Sequence, residues 1–121
     1  TKDDWGQFIY IQDQTHKKLW SAGLQPTLAR PGKYEAHFSE DKIEILREDS
    51  KIATHTEVII SSEDNVELRR ISLTNQSDLP VDVEVTSYAE VVLAQGKDDA
   101  AHPAFSNLFI QTEYRKESQA I

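Results

Sequence analysis

Cysteine is absent from the 121 residues. That excludes disulfides, thiolate-bound metals and a thiol nucleophile, and it leaves the redox compartment undetermined. Glycine and proline number only four each, and no glycine-rich loop of either nucleotide-binding type occurs. A G-x-S-x-G elbow is missing too, so Ser87 and Ser106 have no nucleophile context. No apolar run approaches the roughly 20 residues of a membrane-crossing helix, so direct membrane insertion by this segment is not expected. The opening Thr1-Lys-Asp-Asp4 does not read as a signal peptide. Positive charge is the scarcer sign. Lys and Arg number 13 against 21 Asp and Glu, giving a net charge of -8 and a pI near 4.9. Such a surface repels phosphate backbones, so nucleic acid is not an expected partner, and anionic membranes are disfavoured.

What remains is a chain of one-domain size, expected to fold as a single β-sandwich domain over 1–121. The longest regular stretch is Val81 to Leu93, which alternates strictly. Val81, Val83, Val85, Ser87, Ala89, Val91 and Leu93 share one face. Asp82, Glu84, Thr86, Tyr88 and Glu90 share the other. The small apolar face is expected to be the spine of a core. Gly6–Gln12 and Lys17–Ser21 read as a hairpin around the turn Asp13–His16. Ala22–Lys33 reads as an irregular loop of the kind that often carries function. Tyr34–Ser39, Ile43–Glu48 and Ile52–Ser61 alternate as further strands, with turn chemistry at Asp49-Ser50. In Val66–Asn75, Val66 and Leu68 fall in one phase and Ile71 and Leu73 in the other, which predicts a β-bulge near Arg69-Arg70. Gln95–Pro103 reads as a loop with a helical turn, and Phe105–Tyr114 as a last strand. The whole is an all-β, antiparallel β-sandwich.

Candidate chemistry is sparse. His55 and Glu57 lie two apart on one strand face, but two ligands do not make a zinc site, so no metal is expected. Glu84 and Glu90 are about 20 Å apart at strand rise, too far for a glycosidase pair within that strand. Glu90 sits in apolar company. A buried ion pair with Arg69 or Arg70 and a role as sugar-hydroxyl acceptor both fit it. Trp5, Trp20, Tyr34 and Tyr88 are candidates for stacking on pyranose rings. Asn75-Gln76-Ser77 fits the N-glycosylation pattern but reads as a turn.

Several runs carry a family resemblance. W-S-A-G-L-Q-P-T (Trp20–Thr27), Y-E-A-H-F-S-E-D-K-I-E (Tyr34–Glu44) and I-A-T-H-T-E-V (Ile52–Val58) resemble elements of the cyclic β-1,2-glucan synthases. So do V-E-L-R-R-I-S-L-T-N (Val66–Asn75), T-S-Y-A-E-V-V-L-A (Thr86–Ala94) and H-P-A-F-S-N-L-F-I-Q-T-E-Y (His102–Tyr114), in the same order along the chain. These elements are similar to the β-sandwich once called glycosyltransferase family 36, which accompanies a helical barrel in glycoside phosphorylases. The resemblance implies a galactose mutarotase-like supersandwich, of which this chain is a part.

In that family the general acid and the phosphate site belong to the barrel. Neither role maps onto a residue of this chain, and no catalytic residue or cofactor is expected. The resemblance implies a non-catalytic module that is structural and carbohydrate-contacting, with β-glucan or oligosaccharide as ligand. It also implies a bacterial protein associated with the inner membrane. Trp20 and Tyr88 are the expected stacking residues, and Gln25, Glu90 and His102 the expected hydroxyl partners. Half a sandwich leaves sheet edges unpaired. Partners are therefore expected in the remainder of the parent polypeptide, in a second copy, or in the chain's own strands. An immunoglobulin-like interaction module with no sugar role fits the same alternation and acidic surface.

Overall fold

A computed structural model describes residues 6–119. Its first hairpin follows from an aromatic and β-branched run closed by a polar turn. Strand β1 (Gln7–Asp13) pairs antiparallel with β2 (Lys18–Ser21), and Ile11 lies opposite Trp20. The turn is fixed by Asp13, whose Oδ1 accepts the His16 backbone N–H at 2.9 Å.

After the 22–32 loop come four consecutive antiparallel strands: β3 (Lys33–Phe38), β4 (Lys42–Asp49), β5 (Ile52–Ile60) and β6 (Glu67–Asn75). Strands β4 and β5 are joined by only Ser50 and Lys51, since Asp49 pairs with Ile52. Both joining residues take positive φ, 51° and 66°. That is the two-residue hairpin geometry that matches strand twist and normally calls for Asn-Gly. Strand β7 (Val83–Ala89) then returns to β1, completing a second sheet of order β2-β1-β7. Two antiparallel sheets and almost no helix bear out the sandwich expectation.

The inner faces of the two sheets supply one core. Ile11, Trp20, Ala22 and Ile52 are buried, and Ile9, Ala29, Ile71, Leu73, Val81 and Val83 pack against them. These side chains come from β1, β2, β5, β6, β7 and the intervening loop, so neither sheet is apolar enough to close alone.

Among the described residues the chain divides into two compact units, 7–88 and 89–119 with Gly6. The second unit holds two short helices, α1 (Gly96–Ala101) and α2 (Pro103–Asn107). Proline at the start of α2 fits the one helical position where a missing N–H costs nothing. Phe105 and Phe109, four residues apart, meet edge to face with ring centroids 5.2 Å apart.

Three expectations are corrected. The bulge near Arg69-Arg70 does not form: β5 and β6 keep one register from Ile52–Asn75 to Ile60–Glu67. Leu68 instead faces outward opposite Ile59, and both are exposed. The long strand ends at Ala89, and of its apolar face only Val81 and Val83 reach the core, with Val85 half exposed and Leu93 81% exposed. The stretch from Phe105 begins within α2 and continues without strand structure to Tyr114. Trp5, a stacking candidate, lies outside the described residues.

Candidate functional site

The polar face of β7 is built jointly with β1. Gln14 donates its backbone N–H to Asp82 O at 2.8 Å, and the Phe8 and Tyr88 rings stack at 6.4 Å with 17° between planes. Both contacts fit one antiparallel pairing, in which Phe8 lies opposite Tyr88, Tyr10 opposite Thr86 and Gln12 opposite Glu84. Period-2 alternation then puts Phe8, Tyr10, Gln12, Glu84, Thr86 and Tyr88 on one outer face. Gln14 Nε2 donates to Glu84 Oε2 at 2.9 Å and holds that carboxylate in place. Tyr88 is 48% exposed, so the stacked pair offers a ring face to solvent beside a carboxylate, an amide and a hydroxyl. Ring faces bordered by such groups suit the apolar faces and equatorial hydroxyls of a sugar.

The other expected contact residues are placed differently. Trp20 is 1% exposed, a core residue that presents no ring to a ligand. The reason is its register opposite Ile11 on the inner face. Gln25 is exposed in the 22–32 loop. Glu90 and His102 are exposed in the second unit, where Glu90 N–H donates to Gly6 O and His102 separates α1 from α2. Arg69 is bonded to Glu67 and, at 2.8 Å, to Gln7 O, while Arg70 grips Glu57.

The loop that carries Gln25 is positioned by a residue whose importance the sequence conceals. Arg47 is 1% exposed. Its Nη1 donates to Ser21 O at 2.8 Å and to Gly23 O, and its Nη2 to Ala29 O at 3.2 Å. Nε and Nη2 also donate to the two carboxylate oxygens of Asp49, at 2.7 and 2.9 Å. All five guanidinium N–H groups are thereby used, which a lysine could not reproduce. The signal was present: Arg47 continues the inward phase of Ile43 and Ile45 on β4. Thr27 adds a second tie, its Oγ1 accepting the Ser21 N–H at 3.1 Å.

On the outer face of the four-stranded sheet, Glu44, His55 and Glu57 bring one ligand atom each to within 4.8 Å of one another. Register explains the cluster, since Glu44 lies opposite Glu57 and His55 is two residues away on the same strand. Cations already occupy it. Lys42 Nζ is 3.0 Å from Glu44, Arg70 holds Glu57, and His55 Nε2 is 3.3 Å from Glu44. The Lys42 hydrogen bond, opposed by desolvation and aided by the charges of Lys42 and His55, holds the Glu44 carboxyl below its ordinary range. Among the described residues the arrangement is an ion-pair network around two carboxylates.

Asp13 and His16 form a tighter unit. Burial pushes the Asp13 carboxyl up. Hydrogen bonds from the backbone and ring of His16, its charge, and the Thr15 backbone outweigh that and leave the group below its ordinary value. Ionised, it can only accept, so His16 Nδ1 at 2.6 Å must be the donor.

Comparison with known proteins agrees with this architecture. The sequence profile of the family described as glycosyl hydrolase 94, supersandwich domain, matches residues 1–121. A relative from Rhizobium meliloti (strain 1021), cyclic beta-(1,2)-glucan synthase NdvB, is 35% identical over 120 residues, covering 99% of this chain. The chain spans only 4% of that relative's length. Two facing antiparallel sheets over a shared core, matched from first residue to last, place this chain in the glycosyl hydrolase 94 supersandwich family.

Proposed function

We propose that the chain is a non-catalytic β-sandwich module of a bacterial glucan synthase, structural in its core and carbohydrate-contacting on the Phe8–Tyr88 face. The observation that supports the non-catalytic part is the fate of the buried carboxylates of the 7–88 unit. Both buried acids of the 7–88 unit, Asp13 and Glu57, are held by a cationic partner or histidine, and so are the half-buried Asp49 and Glu44. A general acid or base must reach a substrate proton, and these groups are committed to the fold.

The carbohydrate part rests on the exposed ring pair and the polar groups beside it. Its ligand would be a β-1,2-glucan, the polymer in the relative's name. The remaining partners are the rest of the parent polypeptide and, where that is missing, a second copy. Among the described residues, strands β3 and β6 leave unpaired backbone at the edges of the four-stranded sheet. Among the described residues no helix is long and apolar enough to cross a membrane. The parent's attachment to the inner membrane would come from other segments.

Calorimetric titration with β-1,2-glucooligosaccharides tests the contact. The expected result is weak, millimolar-range heat that Tyr88→Ala abolishes while the melting temperature is kept. No heat at millimolar ligand removes the sugar contact and leaves a scaffold or protein-interaction module. Phosphorolysis or glucan synthesis by this chain alone would overturn the non-catalytic reading.

A further inference from the structure

One cleft of the 7–88 unit has a chemistry opposite to that of the chain as a whole. It measures about 340 Å³ and lies where the 14–17 turn, the Ser50-Lys51 turn and the segment after β6 meet. Thr15, His16, Lys18, Ser50, Lys51 and Ser77 supply its polar lining, and three apolar residues of the segment after β6 complete it. No Asp or Glu lines it, although acids outnumber bases 21 to 13 in the sequence. Neither Lys18 nor Lys51 has a carboxylate within ion-pair distance among the described residues. The nearest acid along the hairpin, Asp13, lies opposite Lys18 in register but is committed to His16.

The hydroxyls are also arranged to donate. Ser50 Oγ is shielded from solvent and has no hydrogen-bond partner among the described residues. Thr15 Oγ1 accepts the Asp82 N–H at 3.2 Å, which leaves its own proton free. His16 gives Nδ1 to Asp13, so Nε2 is the nitrogen left for a ligand. Lys51 reaches the cleft through a backbone with φ of 66°, a conformation that a non-glycine residue adopts at a cost.

We propose that this cleft binds a small tetrahedral oxyanion, either free phosphate or a phosphoryl group esterified to a sugar. Two lysines supply charge, the Ser50 and Thr15 hydroxyls donate to oxygen, and His16 Nε2 is a further hydrogen-bonding nitrogen. This site is separate from the Phe8–Tyr88 face, and its failure would leave the carbohydrate reading untouched.

The test is a titration of the isotopically labelled 121-residue chain, followed by amide chemical shifts. Inorganic phosphate, glucose 6-phosphate and glucose are added at matched ionic strength. Saturating shifts confined to Thr15, Ser50, Lys51 and their neighbours are expected with both phosphates and not with glucose. A tighter ester identifies a sugar substituent as the ligand, and an equal or tighter inorganic phosphate identifies the free anion. The double variant Lys18→Ala/Lys51→Ala should weaken binding about tenfold, since it removes two exposed charge contacts. Ser50→Ala should weaken it without removing charge, and Lys97→Ala, in the other unit, should not. Melting curves check that the variants fold. Shifts that do not saturate, or saturation unchanged in both the double variant and Ser50→Ala, would overturn the proposal.

Discussion

Replacing Arg47 by leucine is the sharpest perturbation of this fold. The substitution keeps apolar bulk and removes five hydrogen bonds. It takes the guanidinium donor from the carbonyls of Ser21 and Ala29 and the carboxylate of Asp49, and leaves the Gly23 carbonyl only the Ser21 hydroxyl. Breaking a buried ion pair from one side costs about 3–5 kcal/mol, and each buried carbonyl left unpaired adds up to about 1 kcal/mol more where water cannot enter. The 22–32 loop can move outward and hydrate some of these groups, so the working figure is about 4 kcal/mol. Against a typical stability of about 5–15 kcal/mol that is a large fraction. In thermal terms it is a fall of roughly 15–20 °C for a domain of about 100 residues.

Urea unfolding followed by fluorescence reads the loss as a lower midpoint at unchanged slope. Arg47→Leu/Asp49→Leu should recover part of it, because the orphaned carboxylate is removed while the carbonyls still lack their guanidinium donor. Arg47→Lys should recover little, since an ammonium cannot span the loop carbonyls and the carboxylate together. A cost below about 1 kcal/mol for Arg47→Leu, or a double variant worse than the sum of its parts, would refute the view that the guanidinium clamps the loop.

Trp20→Ala should cost about 3–5 kcal/mol by opening a core cavity. Trp20→Phe should cost about 1–2 kcal/mol, because the indole Nε1 has no hydrogen-bond partner to lose. Thr54→Val should stabilise by about 1 kcal/mol in the same urea assay, since the Thr54 hydroxyl is buried and unpaired. Ser50→Asn/Lys51→Gly should raise stability by about 1 kcal/mol by supplying the residues that the positive-φ turn prefers, read as an upward shift in melting temperature. Asp13, Glu35 and Glu44 all ionise below their ordinary values of 3.8, 4.5 and 4.5. Depressed carboxylates add stability that is fully present above the unfolded value and is lost as pH falls through the folded one. Unfolding midpoints should therefore drop below about pH 4.5, and Asp13→Asn should flatten the lower part of that fall.

The period-2 alternation of β3, β4 and β5 was legible because one face of each strand is repeatedly apolar. The hairpin around Asp13–His16 was legible because its turn residues bond their own backbone. Two apolar phases in Val66–Asn75 were misleading, since exposed Leu68 opposite Ile59 counts as readily toward a face as buried Ile71 does. Pattern reports which side chains can share a face, and burial depends on what covers that face.

By itself the sequence determined an acidic, disulfide-free, antiparallel β chain, and its runs of family-like residues pointed to the supersandwich. Tertiary structure decided which of its faces are interior and which groups are spent on the fold. Alternation in Val81–Leu93 specified a thirteen-residue strand, but the strand runs only from Val83 to Ala89, and Val91 and Leu93 beyond it stay exposed. Alternation sets which side chains share a face, and it does not supply a layer to cover that face. The phase of Arg47 on β4 was legible, but what covers it was not. Only when the 22–32 loop returned over it did three carbonyls and a carboxylate converge to make a buried guanidinium stable.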